Sequence, residues 1–406
     1  MSSVTPTTSE DDEAEFVRSW RDHENRVLLS HLRRQRADGP EPKQHKPAPE
    51  PALAVPPSGP SIAIFDRAAL LKQIRIADGH PSAEDEAPVA SVSSDEQPRL
   101  AQLRALANVD PLRRLVVADA GMRERLARLR EECPGFSGVI ALVERAVALS
   151  AIAGTGIAFP PLLLVGPPGL GKTHFSCRLA AALSVEQHAF SCATNSDAQA
   201  LLIGHPPTWR GARMGVLTEA LLSGETGNPL IVLDEIDKFV THSTEKPYNS
   251  LLAVLEPENA CALVDEYLRI PFDLSRCLIV ATANDIDLLP GFIQDRFLVV
   301  TVTPPDGTIL RAIASRIAAD IIAAHGHAFA QPDDRVVARL ASANPRGIRR
   351  LVTLALGFAA EAGRRYVVTT DIEAAEAILL AGMEGARKPI GFIPPRRKGE
   401  GERECG

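Results

Sequence analysis

Apolar residues fall along the chain in three successive patterns. Up to about residue 100 they come in short, separated bursts. EFVRSWRDHENRVLLSHLRRQR places Phe16, Trp20, Val27, Leu28 and Leu32 on roughly one helical face. Pro40–Pro60 follows as a Pro-rich linker. SIAIFDRAALLKQIRIA reads as a second short helix, and GHPSAEDEAPVASVSSDEQP as polar chain without structure. From Asp110 the pattern turns globular. Asp110-Pro111 suits an N-cap with proline at the first helical position, and Leu112, Leu115, Val116, Leu126 and Leu129 continue the helical reading. Ser137 can cap the next helix, through VIALVERAVALSAIA.

Short apolar runs then alternate with helical periods. LLLV at Leu162–Val165, EQHAFSCA, PLIVLDEID, CLIVATAN and FLVVTVTPP read as strands, with HFSCRLAAAL as a helix. Apolar strands alternating with helices predict a parallel sheet covered on both faces. From Asp306 the period is helical throughout, in TILRAIASRIAADIIAAHG, DDRVVARLAS, RGIRRLVTLALGFAAEAGRR and DIEAAEAILLA. The expected organisation is a largely disordered region with short helices (1–105), an α/β nucleotide-binding domain (106–305), a small all-helical lid (306–385) and a flexible basic tail (386–406). The fold class is α/β, a P-loop parallel sheet with helices on both faces, followed by the helical lid.

Composition narrows this picture little. A hydrophobic content of 45% and a charged content of 23% are those of a globular protein, and 4% aromatics makes the core aliphatic. The net charge of -7 weighs against nucleic-acid binding, although HLRRQR at His31–Arg36 is locally basic. No apolar run is read as approaching the ~20 residues of a membrane span. The acidic start MSSVTPTTSEDDEAEF lacks the features of a secretory signal, and the scattered cysteines form no CxxC pair. The cytoplasm is the expected compartment.

The chemistry begins at Gly166–Thr173, GPPGLGKT, which fits GxxxxGK[ST] between a strand and a helix. Gly166, Pro167, Pro168, Gly169, Leu170 and Gly171 would wrap phosphates with backbone N–H groups, and the helix through His174 would turn its N-terminus to them. Lys172 would reach the β- and γ-phosphates of ATP, and the Thr173 hydroxyl would ligate Mg²⁺. Asp234 and Glu235 end an apolar strand, where open parallel sheets bind ligands. Asp234 would hold the Mg²⁺, and Glu235 would act as general base on water. Asn284, ending IVATAN, would position that water or else is an ordinary turn residue. Arg296, in QDRF, would reach a neighbouring subunit's γ-phosphate or form a surface ion pair. Arg346 leads the NPRGIRR cluster with Arg349 and Arg350, and one of these would reach back to the nucleotide.

Together these segments resemble an AAA+ ATPase, and more narrowly the ATPase module of the Lon protease family. NPLIVLDEIDK, LLAVLEPENACALVDEYLRIPFDLS, IVATAN and NPRGIRRLV carry the narrower resemblance, over roughly Cys133 to Ala381. So does GHPPTWRGARMG, which follows the family's Gly-His-x-x-Thr-aromatic-x-Gly pattern. The resemblance implies a homo-oligomeric, hexameric ring in which Trp209 faces the axial pore and grips a polypeptide. The family's aliphatic residue after the aromatic is Arg210 here, and Pro206-Pro207 precedes; a charged loop would favour acidic substrates or another client. The alternative for Trp209 is packing against its own domain. ENACALVDEY is a second candidate pore element. After Arg346 there is room to finish the lid and little else, so an ATPase without protease activity of its own is expected. The implied function is a protein remodeller or unfoldase. The alternatives are a nucleotide-switched adaptor docking a partner through the N-terminal region, and a DNA-coupled ATPase.

Overall fold

A computed structural model describes residues 59–77, 96–193, 198–238 and 248–386. The predicted helix at 15–36, nearly all of the Pro-rich linker and the tail from 387 lie outside these. In chain order the elements are β1 (Ser61–Ala63), α1 (Arg67–Ala77), α2 (Gln97–Leu106), β2 (Leu112–Arg114), α3 (Met122–Glu132), α4 (Ser137–Ala153), β3 (Leu162–Val165), α5 (Lys172–Leu183) and β4 (Gln187–Ser191). Next come α6 (Ala198–Ile203), α7 (Val216–Ser223), β5 (Leu230–Asp234), α8 (Asn249–Leu255), α9 (Pro257–Ala260), β6 (Leu263–Val264), β7 (Pro271–Phe272), β8 (Leu278–Ala283), α10 (Gly291–Gln294) and β9 (Leu298–Thr301). The last four helices are α11 (Gly307–Ala324), α12 (Asp334–Leu340), α13 (Pro345–Glu361) and α14 (Thr369–Ala386).

Five strands form one parallel sheet in the order β4-β5-β8-β3-β9. The three inner strands are the most continuously apolar segments, and all but the terminal Asp234 of their residues are buried. Their alternation divides the core in two. Leu162, Leu164, Leu230, Val232, Leu278 and Val280 join Leu126, Val143, Phe175 and Leu179 on one face. Leu163, Ile231, Leu233, Ile279 and Ala281 join Leu202, Leu217 and Leu251 on the other. At roughly 25 cal/mol per Å² of apolar surface, this two-sided burial is what drives the sheet together. The lid has a core of its own, built on Ala318, Ile322, Val336, Leu340, Ile348, Val352 and Ala355.

Four local expectations are corrected. The helix expected over SIAIFDRAALLKQIRIA is shorter: Ser61–Ala63 is a strand paired antiparallel with Leu112–Arg114, and the helix starts at Arg67. Asp110-Pro111 therefore opens a strand. The Asp110 carboxylate accepts the Leu112 N–H at 2.9 Å, an Asx turn, and the helix waits until Met122. Ser137 is the first residue of α4 rather than its side-chain cap. Finally, Pro134–Ala153 is long and apolar enough to pass for a membrane span, with mean hydropathy 1.7. It carries Glu144, which pairs with Arg130 at 2.7 Å, and buries Val139, Ile140, Val143 and Val147 in the sheet core.

The described part of the N-terminal segment is built into the sheet domain. Ile64, Phe65, Leu70, Leu103 and Leu106 belong to the sheet's apolar cluster. Arg99 is 4% exposed, and its guanidinium donates to the carbonyls of Tyr267 (2.7 Å) and Leu268 (3.1 Å) and to Gln73 Oε1 (2.8 Å). Arg99→Met removes these donors and strands two buried carbonyls. The expected loss is about 2–5 kcal/mol of stability, read as a lowered urea midpoint.

Candidate nucleotide site

The C-terminal ends of β3, β5 and β8 open onto a cleft of about 350 Å³. It is roofed by the lid through Ile313, Arg316, Ile317, Asp320, Arg346 and Arg349. After β3 the chain enters GPPGLGKT. Gly169 (φ +87°) and Gly171 (φ +88°) take left-handed backbone that a side chain resists, and Gly171 is the N-cap of α5. Gly166 is needed for another reason: a Cβ there would lie 2.4 Å from the Val302 carbonyl oxygen. Gly166→Ala is therefore expected to cost about 1–3 kcal/mol and to push the loop away from β9, seen as a lower melting temperature and weaker nucleotide binding.

Lys172 is 7% exposed. Its Nζ donates to the carbonyls of Gly166 (2.5 Å) and Pro167 (3.1 Å) and to Asn284 Oδ1 (3.0 Å). Burial lowers its pKa, while the carboxylates of Asp234, Asp237 and Glu235 work in the opposite direction. The Thr173 hydroxyl lies 3.0 Å from both oxygens of Asp234. Asn284 Nδ2 donates to Glu235 Oε1 at 3.5 Å. Glu235 has φ +57°, an uncommon backbone state for a residue with a side chain, and it turns the chain sharply as it leaves β5. Pro168, Leu170 and His174 line the same cleft. Partial enclosure of the His174 ring, then the charges of Arg178 and Arg349, lower its pKa.

Arg346 lines the cleft, and its backbone N–H reaches the Gly169 carbonyl at 3.4 Å. It is placed by Asn344, which caps α13 by accepting the Gly347 N–H at 2.8 Å with Pro345 behind it. The lid helix thus starts against the phosphate loop. Arg349 lines the cleft too, while Arg350 does not. Arg296 is not in its own chain's cleft; its Nε donates to Glu256 Oε1 at 2.7 Å.

Trp209 and Arg210 also lie away from this cleft, on the loop between α6 and α7. Trp209 is 54% exposed, with its ring tilted toward His205 at 6.0 Å between centroids. ENACALVDEY forms the end of α9 and the first strand of the β6–β7 hairpin.

Two cleft residues escape a reading of the sequence. Thr282, fully buried in β8, donates to Asp234 Oδ1 at 2.5 Å and accepts the Glu235 N–H at 3.0 Å. Its hydroxyl fixes both acidic residues, and the one signal for it is a polar residue inside the apolar run LIVATA. Arg316, from the lid, donates to the Glu131 carbonyl at 3.1 Å, and its buried Nη1 has no hydrogen-bond partner among the described residues. Nothing in TILRAIASRIAADIIAAHG distinguishes it from a solvated arginine.

Strand-loop-helix geometry of this kind, with the paired carboxyl residues Asp234 and Glu235 at the end of β5, one strand removed across β8, and a helical lid, defines a P-loop nucleotide-binding module. Residues 162–304 match the model of the ATPase family associated with various cellular activities (AAA). Lon protease 1 of Syntrophotalea carbinolica is 43% identical over 139 residues, 34% of this chain and 17% of that protein. The mitochondrial Lon protease homolog of Yarrowia lipolytica is 40% identical over 158 residues, 39% of this chain and 13% of that protein. The chain therefore carries an AAA+ module that resembles the ATPase module of the Lon proteases. It spans less than a fifth of the length of the curated relatives it matches. Among solved structures, the Thermotoga maritima RuvB Holliday junction branch migration motor is similar over 65% of this chain and 70% of its own, at 18% identity and TM-score 0.42.

Proposed function

We propose that the chain binds ATP with Mg²⁺, hydrolyses it, and uses the energy to remodel or unfold polypeptides as a homo-oligomeric ring, hexameric by resemblance to Lon. The observation that carries this reading is the convergence of Lys172, Thr173, Asp234, Glu235, Asn284 and the lid residue Arg346 on one cleft. A hydroxyl and a carboxylate 3.0 Å apart make an all-oxygen donor set, which suits a hard cation such as Mg²⁺. When bound there, the ion would neutralise charge on the phosphate oxygens. Thr173 and Asp234 would hold it, with Asp234 oriented by Thr282. Lys172 would leave its carbonyl and amide partners for the phosphates. Glu235 would take a proton from water held against Asn284. Arg346 would report the nucleotide to the lid, because α13 begins where the phosphate loop turns.

The proposed client is a polypeptide, gripped by Trp209, whose exposure leaves its ring free to stack on a chain. The reading ascribes no peptide-bond cleavage to these residues, since the similarity to Lon proteases lies in the ATPase module. The cytoplasm is the proposed compartment, in keeping with free thiols at the described cysteines. An adaptor reading draws support from the packing of the described N-terminal segment into the sheet core, which would let a partner bound there act on the ATPase.

Steady-state ATP hydrolysis with and without an unfolded model polypeptide tests the proposal. Stimulation by the polypeptide is the expected result. Steady turnover indifferent to polypeptide moves the assignment to the adaptor, and absence of turnover removes the ATPase itself.

A further inference from the structure

The segment Gly204–Gly215 is a closed loop standing on a pinched base. Gly204 has φ +89°, and a Cβ on it would lie 2.9 Å from the Gly215 nitrogen. The His205 N–H donates to the Arg213 carbonyl at 3.0 Å, just above that base. At the tip, the Trp209 N–H bonds the Pro206 carbonyl (3.0 Å) and the Ala212 N–H bonds the Trp209 carbonyl (3.1 Å). The β6–β7 hairpin is tied to both legs of this base. The Glu266 N–H donates to the Ile203 carbonyl at 2.7 Å, and the Gly215 N–H donates to Asp265 Oδ2 at 2.8 Å. The two loops thus stand on one footing.

Their charges are uneven. Arg210 and Arg213 on the first loop and Arg269 at the hairpin turn are all exposed. None of them is in an ion pair or side-chain hydrogen bond among the described residues. The acids of the same segments offset them little. Asp265 is 1% exposed and accepts the N–H groups of Gly215, Tyr267 and Leu268. Glu266 is half-buried. A chain of net charge -7 therefore presents, beside its exposed Trp209, a local excess of unpaired guanidinium.

We propose that this paired-loop surface selects acidic stretches of polypeptide. The inference rests on the reading that the Trp209 loop contacts a polypeptide, and adds the class of segment it takes. A guanidinium binds carboxylates through two parallel N–H donors, and the indole face accepts whatever side chain lies between. A single-stranded nucleic acid also combines anionic and stacking groups. It is disfavoured by one exposed ring in place of a row of platforms, and by the negative charge of the whole chain.

The test uses the full chain with Trp20→Phe, which leaves Trp209 as its sole tryptophan. Trp209 emission is titrated at low salt, with ATP, against unfolded polypeptides of matched length rich in Glu, in Gln or in Lys, and against oligo-dT. The Glu-rich polypeptide is expected to bind about tenfold more tightly than the Gln-rich one, the sum of a few exposed ion pairs, and salt should erase the difference. Arg210→Glu with Arg213→Glu should reverse the order in favour of the Lys-rich polypeptide, and Arg269→Glu alone should reduce the preference. Equal binding of the Glu-rich and Gln-rich polypeptides overturns this inference and leaves the polypeptide reading standing. Binding of no polypeptide overturns both. Tighter binding of oligo-dT than of the Glu-rich polypeptide overturns the inference in favour of nucleic acid.

Discussion

Replacing Glu235 by Gln is expected to lower ATP turnover by about 10²–10⁴-fold while ATP still binds. The two effects separate because of where the residue sits. The groups facing the phosphates and metal in the proposed complex are Lys172, Thr173 and Asp234, and none is hydrogen-bonded to the Glu235 side chain, whose partner is Asn284 Nδ2 at 3.5 Å. Lys172 is held by two carbonyls and Asn284, and Asp234 by the Thr282 hydroxyl. The Glu235 backbone is fixed independently, by its N–H to Thr282 and its carbonyl to the Lys238 N–H at 2.9 Å. Gln keeps the shape and one carbonyl oxygen for Asn284 but cannot accept a proton from water. Steady-state hydrolysis and fluorescent-nucleotide titration measure the two quantities. Turnover close to that of the unmodified chain would remove Glu235 from the role of base, and loss of binding would make it a structural part of the cleft.

The inner sheet was the most legible part of the fold. LLLV, LIVL and LIVATA are buried on both faces, so their apolar runs carry the information without reference to a partner. The glycine-rich loop after β3 was legible for a related reason: its glycines answer to local backbone geometry, with φ +87° at Gly169 and +88° at Gly171. What stayed hidden depends on residues distant in sequence. Ser61–Ala63 is a strand because Leu112–Arg114 lies beside it, and no three-residue window can say so. Arg99 looks like any arginine on a polar helix until Tyr267 and Leu268 turn their carbonyls toward it, 168 and 169 residues away. Thr282 and Arg316 are the same case inside the cleft. The lid's four helices read correctly, but only the structure shows that Asn344 sets the start of α13 against Gly169 and so links the lid to the phosphate loop.

Arg296→Ala is expected to lower turnover by about 10³–10⁵-fold if the side chain completes a neighbour's site, with ATP binding to its own cleft retained. Within one chain Arg296 has no part in the cleft and pairs with Glu256, the two side chains 44% and 28% exposed. An exposed pair of this kind is worth about 0.2–1 kcal/mol, too little to keep the guanidinium from a phosphate offered by a second subunit. Glu256 would then orient Arg296 rather than compete with it. Mixing distinguishes this role from a structural one. A subunit bearing Arg296→Ala has an intact Glu235, and a subunit bearing Glu235→Gln has an intact Arg296. Two nearly inactive preparations combined should recover measurable turnover, because some interfaces then carry both residues. Recovery would place Arg296 in trans. Failure to recover in rings shown to contain both variants would confine Arg296 to its own chain, where Glu256 is the partner the structure gives it.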